Sequence, residues 1–242
     1  YGRVFTVDLE SREIRERGRL YLTAPSFVAA PDDTLWGRVA PMAVGPARTP
    51  GSDDIRAVRV PDAPYLVAHD GDRFLYVSHN TVRSGWTSIS VVDTVTSSVR
   101  PPDYRVAGLT TDMAVSEEAL YVASAPISAA ERARVSVYPT APDRKAVQTT
   151  AAEDRRDLVD GPAFASQFRF TLDDELLYVV TVTGRSTVAP VVQVLRNGQL
   201  GASSNLADHS RITNIVGDPW LAGREIFIPA LLEDNRSAVA IL

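Results

Sequence analysis

Short apolar runs separated by polar turns recur along the whole chain, the pattern of short strands joined by turns. The best-formed unit spans Ala63 to Val99. An apolar run ends in Asp70-Gly71-Asp72, a tight-turn signal, and Phe74-Leu75-Tyr76-Val77 follows. A polar loop then holds Trp86, the alternating run Ile89-Ser90-Val91-Val92-Asp93 comes next, and a last polar turn leads to Val99. Four short strands joined by hairpin turns within about forty residues make one antiparallel blade.

The second strand of that unit has echoes. Leu35-Trp36, Leu75-Tyr76-Val77, Leu120-Tyr121-Val122, Leu177-Tyr178-Val179 and Ile226-Phe227-Ile228 share one pattern, and most follow an acidic or glycine-bearing turn. With the aromatic as marker, the steps from 36 to 76, 121, 178 and 227 are 40, 45, 57 and 49 residues. Repeats of that size carrying strand pattern indicate propeller blades and not helical solenoids. Third strands are expected at Ile55–Val60, Ile89–Asp93, Arg134–Tyr138, Val191–Leu195 and Ser237–Leu242, and Val4–Asp8 resembles one more.

The expected fold is therefore an all-β propeller of four-stranded antiparallel blades, forming a single domain over 1–242. Five blades are expected, at about 21–62, 63–106, 107–150, 160–207 and 210–242. The last is completed by 1–20, because sharing a blade between the termini removes an open edge. The rival reading is a piece of a longer propeller cut within blades at both ends. Helical signal is confined to a turn or two at Ser128–Arg134 and Ala151–Leu158, and Pro41–Ser52 reads as a long surface loop.

Composition narrows the classes. The 242 residues are 45% hydrophobic, enough for a sizeable core, and 23% charged with a net charge of −5. A net acidic chain with no basic block argues against a nucleic-acid partner. Cysteine is absent, which removes disulfides, thiolate metal sites and cysteine nucleophiles. No apolar run reaches the roughly twenty residues that span a bilayer. The chain starts at Tyr1, which points to a processed or trimmed end, after either removal of an export signal or a boundary cut.

The segment Phe74-Leu75-Tyr76-Val77-Ser78-His79-Asn80, with Ser88-Ile89-Ser90-Val91-Val92-Asp93-Thr94-Val95-Thr96-Ser97-Ser98-Val99, resembles the YVTN β-propeller repeat. Val4 to Ser11 looks like the second half of that repeat. The resemblance implies a propeller, usually outside the cytoplasm, in proteins that mostly bind or scaffold. It transfers no catalytic residue. A weaker likeness, Ala63-Pro64 through Ser78, is to five-bladed glycan-active enzymes.

Candidate chemistry follows from loop type, since connectors between blades and the loops from second to third strands share one face. Asp62, Asp112 and Asp160 lie at or just before expected first strands, 50 and 48 residues apart. Converging carboxylates raise one pKa and could supply a glycosidase acid beside an ionised base. They could also hold a divalent cation in the central channel. The plainer reading is that aspartate caps strand entries. His79, Trp86, Arg155, Arg156, His209 and Arg211 fall on the same face as candidate ligand-binding residues. The plainer readings are a hydrogen-bonded histidine, a tryptophan packed under its loop and surface ion pairs. His69 reads as a turn residue, and no paired histidine spacing suggests a zinc site. The sequence thus favours an exported, monomeric, non-catalytic propeller binding a protein or glycan and needing no cofactor. The alternative is a glycoside hydrolase-like enzyme using the three aspartates.

Overall fold

The computed structural model describes residues 2–7, 11–20, 27–30, 32, 34–47, 56–116, 119–125, 127, 133–140, 156–160, 165–173, 176–183, 191–196, 199–205, 212–216, 219–222 and 225–241. Every regular element among them is a strand. The chain divides into two compact units, one running to Arg105 and the other beginning at Val106.

The first unit opens with β1 (Gly2–Val7) and β2 (Ile14–Leu20), paired in a two-stranded sheet. The next sheet takes β3 (Phe27–Ala29), β4 (Leu35–Ala40), β5 (Ala43–Pro46) and β6 (Val58–Arg59) in sequence order. The third is β7 (Pro64–His69), β8 (Phe74–Arg83), β9 (Trp86–Asp93) and β10 (Ser98–Ala107). In the second unit β11 (Leu109–Val115), β12 (Ala119–Ala125), β13 (Arg134–Pro139) and β14 (Arg156–Asp160) form one sheet. Another holds β15 (Ala165–Asp173), β16 (Leu176–Thr183), β17 (Val191–Arg196) and β18 (Gln199–Asn205). The last comprises β19 (Ile212–Ile215), β20 (Trp220–Ala222), β21 (Glu225–Leu232) and β22 (Ser237–Ile241). There β19 and β20 pair with successive halves of one edge of β21, so they act as a single broken first strand. The aromatic markers Trp36, Tyr76, Tyr121, Tyr178 and Phe227 fall one per four-stranded sheet, each in the strand after the first.

β8 is buried on both faces over its first half, which explains the continuous apolar reading of Phe74 to Val77. All six residues from Phe74 to His79 are buried. Leu75 and Val77 join Val67 and Val92 in packing against Trp36, Val44, Val58 and Val60 of the preceding sheet. Each such side chain contributes about 1.5–3 kcal/mol on burial. In the second unit Val192 of β17 packs in the same manner on Ile212, Ile215, Ile226, Ile228 and Ala230.

Three local expectations are corrected. The stretch 41–52 is not one long loop: Pro41 and Met42 make a tight turn into β5, because Ala43 and Val44 are buried core residues. Val58–Arg59 is consequently the fourth strand of its sheet and not the third. Ala151–Leu158 is not helical where it is described. Arg156–Asp160 pairs antiparallel with β13, whose hydrogen-bonding edge overrides the charged run's lack of strand pattern. The 128–132 segment lies outside the described residues.

Glycine is required at one junction between sheets. Gly108, between β10 and β11, has φ +87°, and a Cβ there would lie 2.2 Å from the Ala125 carbonyl oxygen.

Candidate functional site

The site is built where the connector from β6 to β7 meets the hairpin of β8 and β9. Ser84 and Gly85 have φ of 51° and 87°, the pair of positive values that a two-residue type I′ loop demands. Arg83 and Trp86 therefore face each other directly across the hairpin. The expected polar loop is an extension of two strands with a tight tip, and Trp86 is the first residue of β9.

Asp62 lies two residues ahead of β7 and reaches this hairpin. Its Oδ1 accepts from the Ala63 amide at 2.8 Å, and its Oδ2 accepts from Arg83 Nη2 at 3.1 Å. The Ala63 amide, the Thr81 side chain and the Arg83 charge hold the Asp62 carboxyl below the usual carboxylate range. Of the three aspartates, one of which is expected to carry a raised pKa, Asp62 is shifted the other way. Asp62 is thus an ionised anchor between connector and hairpin, which places both at one end of the sheet. Trp86 is 40% exposed beside it, whereas Trp36 is 5% exposed in the core.

His79 is corrected from a loop ligand to a buried bracket. Its Nε2 is 2.8 Å from Ser90 Oγ on β9, and its Nδ1 is 3.1 Å from the Asp62 carbonyl oxygen. A histidine between a serine and an acceptor has the outline of an activated nucleophile. Both side chains are fully buried, however, so neither is presented to solvent.

The other two aspartates sit in the second unit. Asp112 lies inside β11, half-buried, at a register shift, with its Oδ1 accepting from the Met113 amide at 2.8 Å. Asn214 repeats this in β19, again at a register shift, accepting from the Ile215 amide at 2.9 Å. The signal that could have found it is the shared Thr-Asx-apolar step, Thr111-Asp112-Met113 and Thr213-Asn214-Ile215. Asp160 ends β14 and pairs with Arg134; it closes the third four-stranded sheet, and β15 begins only at Ala165. Arg156 likewise belongs to a strand and not a loop, paired with Val137. Arg155, His209 and Arg211 lie outside the described residues. Among the described residues no group of three or more histidines and carboxylates is placed to hold a metal ion.

The Asp-Thr turn that carries the repeat resemblance is a structural knot. Asp93 is fully buried; its Oδ2 accepts from Arg73 at 2.7 Å and Arg100 at 2.8 Å. Its Oδ1 accepts the Val95 and Thr96 amides, each at 3.0 Å. One carboxylate therefore joins both turns at that end of the sheet to β10. At the same end His69, read from the sequence as a turn residue, is the last residue of β7 and accepts the Gly71 amide of the following turn on Nδ1 at 3.0 Å.

No protein-family model matches the chain. No curated protein matches it either. Among solved structures the chain is similar to hydrazine synthase from Kuenenia stuttgartiensis, with TM-score 0.63 and 20% identity over 89% of this chain and 61% of that one. It is similar to the β-propeller domain of the Trilobed protease from Pyrococcus furiosus, with TM-score 0.60 and 9% identity over 99% and 74%. It is also similar to TolB from Acinetobacter baumannii, with TM-score 0.53 and 11% identity over 99% and 59%. The chain thus spans less than two thirds of the hydrazine synthase chain. At these identities the likeness is one of fold, and the fold is an all-β propeller.

Proposed function

We propose that this propeller is a non-catalytic binding module, acting outside the cytoplasm, that engages a protein or glycan through its connector-and-hairpin face. The observation that carries the reading is Trp86, 40% exposed across the hairpin from Arg83, which bridges the hairpin to Asp62 of the connector. An exposed tryptophan on a rigid hairpin anchors a ligand at small entropic cost. The enzyme alternative asks one carboxyl among Asp62, Asp112 and Asp160 to stay protonated as a general acid. The environment of Asp62 works against that role there. The fold does not decide the matter, since similar chains include a hydrazine synthase and a propeller domain of a protease.

The test is turnover. The whole chain is incubated with a panel of nitrophenyl glycosides, and release of nitrophenol is followed against buffer. The binding reading expects no release above background. Release that disappears in Asp62→Asn or Asp112→Asn overturns it.

A further inference from the structure

We infer that the Trp86 hairpin takes a neutral sugar ring, stacked on the indole and held at its hydroxyls by the Asp62–Arg83 pair. The inference rests on the binding reading and names its ligand class.

Three features select this ligand. Trp86 and Arg83 are direct cross-strand partners, so their side chains leave the same face of the hairpin from Cβ atoms about 5 Å apart. The indole offers a flat apolar face, as the C–H face of a pyranose requires. Trp220, the other exposed tryptophan, is different: its ring is stacked on Phe227 at 5.4 Å and 11°, so one face is already covered.

Charge is the second feature. Arg83 is compensated by Asp62 at 3.1 Å, and the pair presents planar donors and acceptors with no net charge. A carboxylated or sulfated ligand would have to compete with Asp62 for the guanidinium. A neutral diol would not, because one hydroxyl can donate to the carboxylate while its neighbour accepts from the guanidinium.

Rigidity is the third. The type I′ tip fixes the hairpin, and Asp62 is held from three sides by the Ala63 amide, Thr81 and Arg83. The Arg83 side chain is 78% exposed and the Asp62 side chain 22%, so both reach solvent. A pre-ordered polar pair beside an aromatic face suits a shallow sugar site.

The test uses the whole chain on two arrays. One displays neutral oligosaccharides of glucose, mannose, galactose and N-acetylglucosamine beside uronic-acid and sulfated glycans; the other displays peptides. Wild type, Trp86→Ala and Trp86→Phe are compared after their melting temperatures are shown to agree. The expected result is neutral-glycan binding weakened at least about tenfold by Trp86→Ala, as for a hot-spot anchor. Trp86→Phe should keep it within about threefold, and about 0.5 M salt should leave it unchanged. Binding confined to anionic glycans, or neutral binding indifferent to Trp86→Ala, overturns the inference. Trp86-dependent peptide capture without glycan signal also overturns it but leaves the binding reading standing. No Trp86-dependent signal on either array removes both.

Discussion

Arg83 Nη2 donates to Asp62 Oδ2 across 3.1 Å, and the two partners draw unequal benefit from the contact. The Arg83 side chain is mostly in solvent, where an ion pair contributes about 0.2–1 kcal/mol. Asp62 also accepts the Ala63 amide and bonds the Thr81 side chain, so it serves as a cap. Arg83→Gln is therefore expected to lower stability by less than about 0.5 kcal/mol and Asp62→Ala by about 1–2 kcal/mol, read from urea unfolding. Carboxyl-carbon NMR should place the Asp62 midpoint below the ordinary aspartate value. A midpoint above it would restore Asp62 as a general acid.

Much of this architecture is legible in the sequence because second strands such as β8 and β12 are buried on both faces and keep a readable core. Ile89 to Asp93 shows the same economy, with Asp93 buried by design of the turn that follows it. The polar parts are less legible. His79 ends an apolar run and looks like a loop ligand, but its Ser90 partner is on another strand, and nothing local announces a buried pair. β14 is hidden because its pairing is supplied by β13 across a long insertion, and three of its five residues are charged. Asp62 was findable as a strand-entry residue; its ionised state was not, since Arg83 lies 21 positions away.

The buried Asp93 carboxylate accepts two guanidiniums and two turn amides. Asp93→Ala leaves those groups without their acceptor and is expected to cost about 3 kcal/mol. Asp93→Asn, which can still accept the turn amides, should cost less. The Arg73 hydrogen bond, followed by the Thr96 and Arg100 bonds, holds the Asp93 carboxyl well below the usual range against desolvation. A depressed carboxyl adds stability that is fully present above the unfolded pKa near 4 and is lost as pH falls below it. Urea midpoints from pH 6 to pH 2 should fall more steeply for wild type than for Asp93→Asn. Parallel curves would remove Asp93 as the acid-sensitive group.

His69 sets a second and milder pH dependence. Burial lowers its pKa from 6.5, and Asp70, Asp32 and Asp72 oppose that shift in part. Its Nδ1 accepts from the Gly71 amide and its Nε2 is buried without a hydrogen-bond partner among the described residues, so protonation turns an acceptor into a donor facing a donor. The folded state binds this proton less readily than the unfolded chain. Stability is therefore complete above pH 6.5 and declines as pH falls below that toward the folded pKa. His69→Gln should flatten the slope of urea midpoints between pH 7 and pH 5. An unchanged slope would show that the imidazole does not titrate with unfolding.

The His79–Ser90 pair yields the sharpest contrast between structural and catalytic readings. At 2.8 Å the hydrogen bond is well formed, and both residues have no exposed surface. If its role is to bracket β8, β9 and the connector at Asp62, removal should unfold and not inactivate. Ser90→Ala is expected to cost about 1 kcal/mol by loss of the bond, and His79→Ala about 3 kcal/mol because a cavity is added. The double variant should cost less than the sum by about 1 kcal/mol, the coupling of two groups in direct contact. A fluorophosphonate probe, which labels activated serines, should leave the folded chain unmodified at Ser90 by mass spectrometry. Labelling that is lost in His79→Ala without loss of fold would mean that the pair opens to solvent and works as a nucleophile.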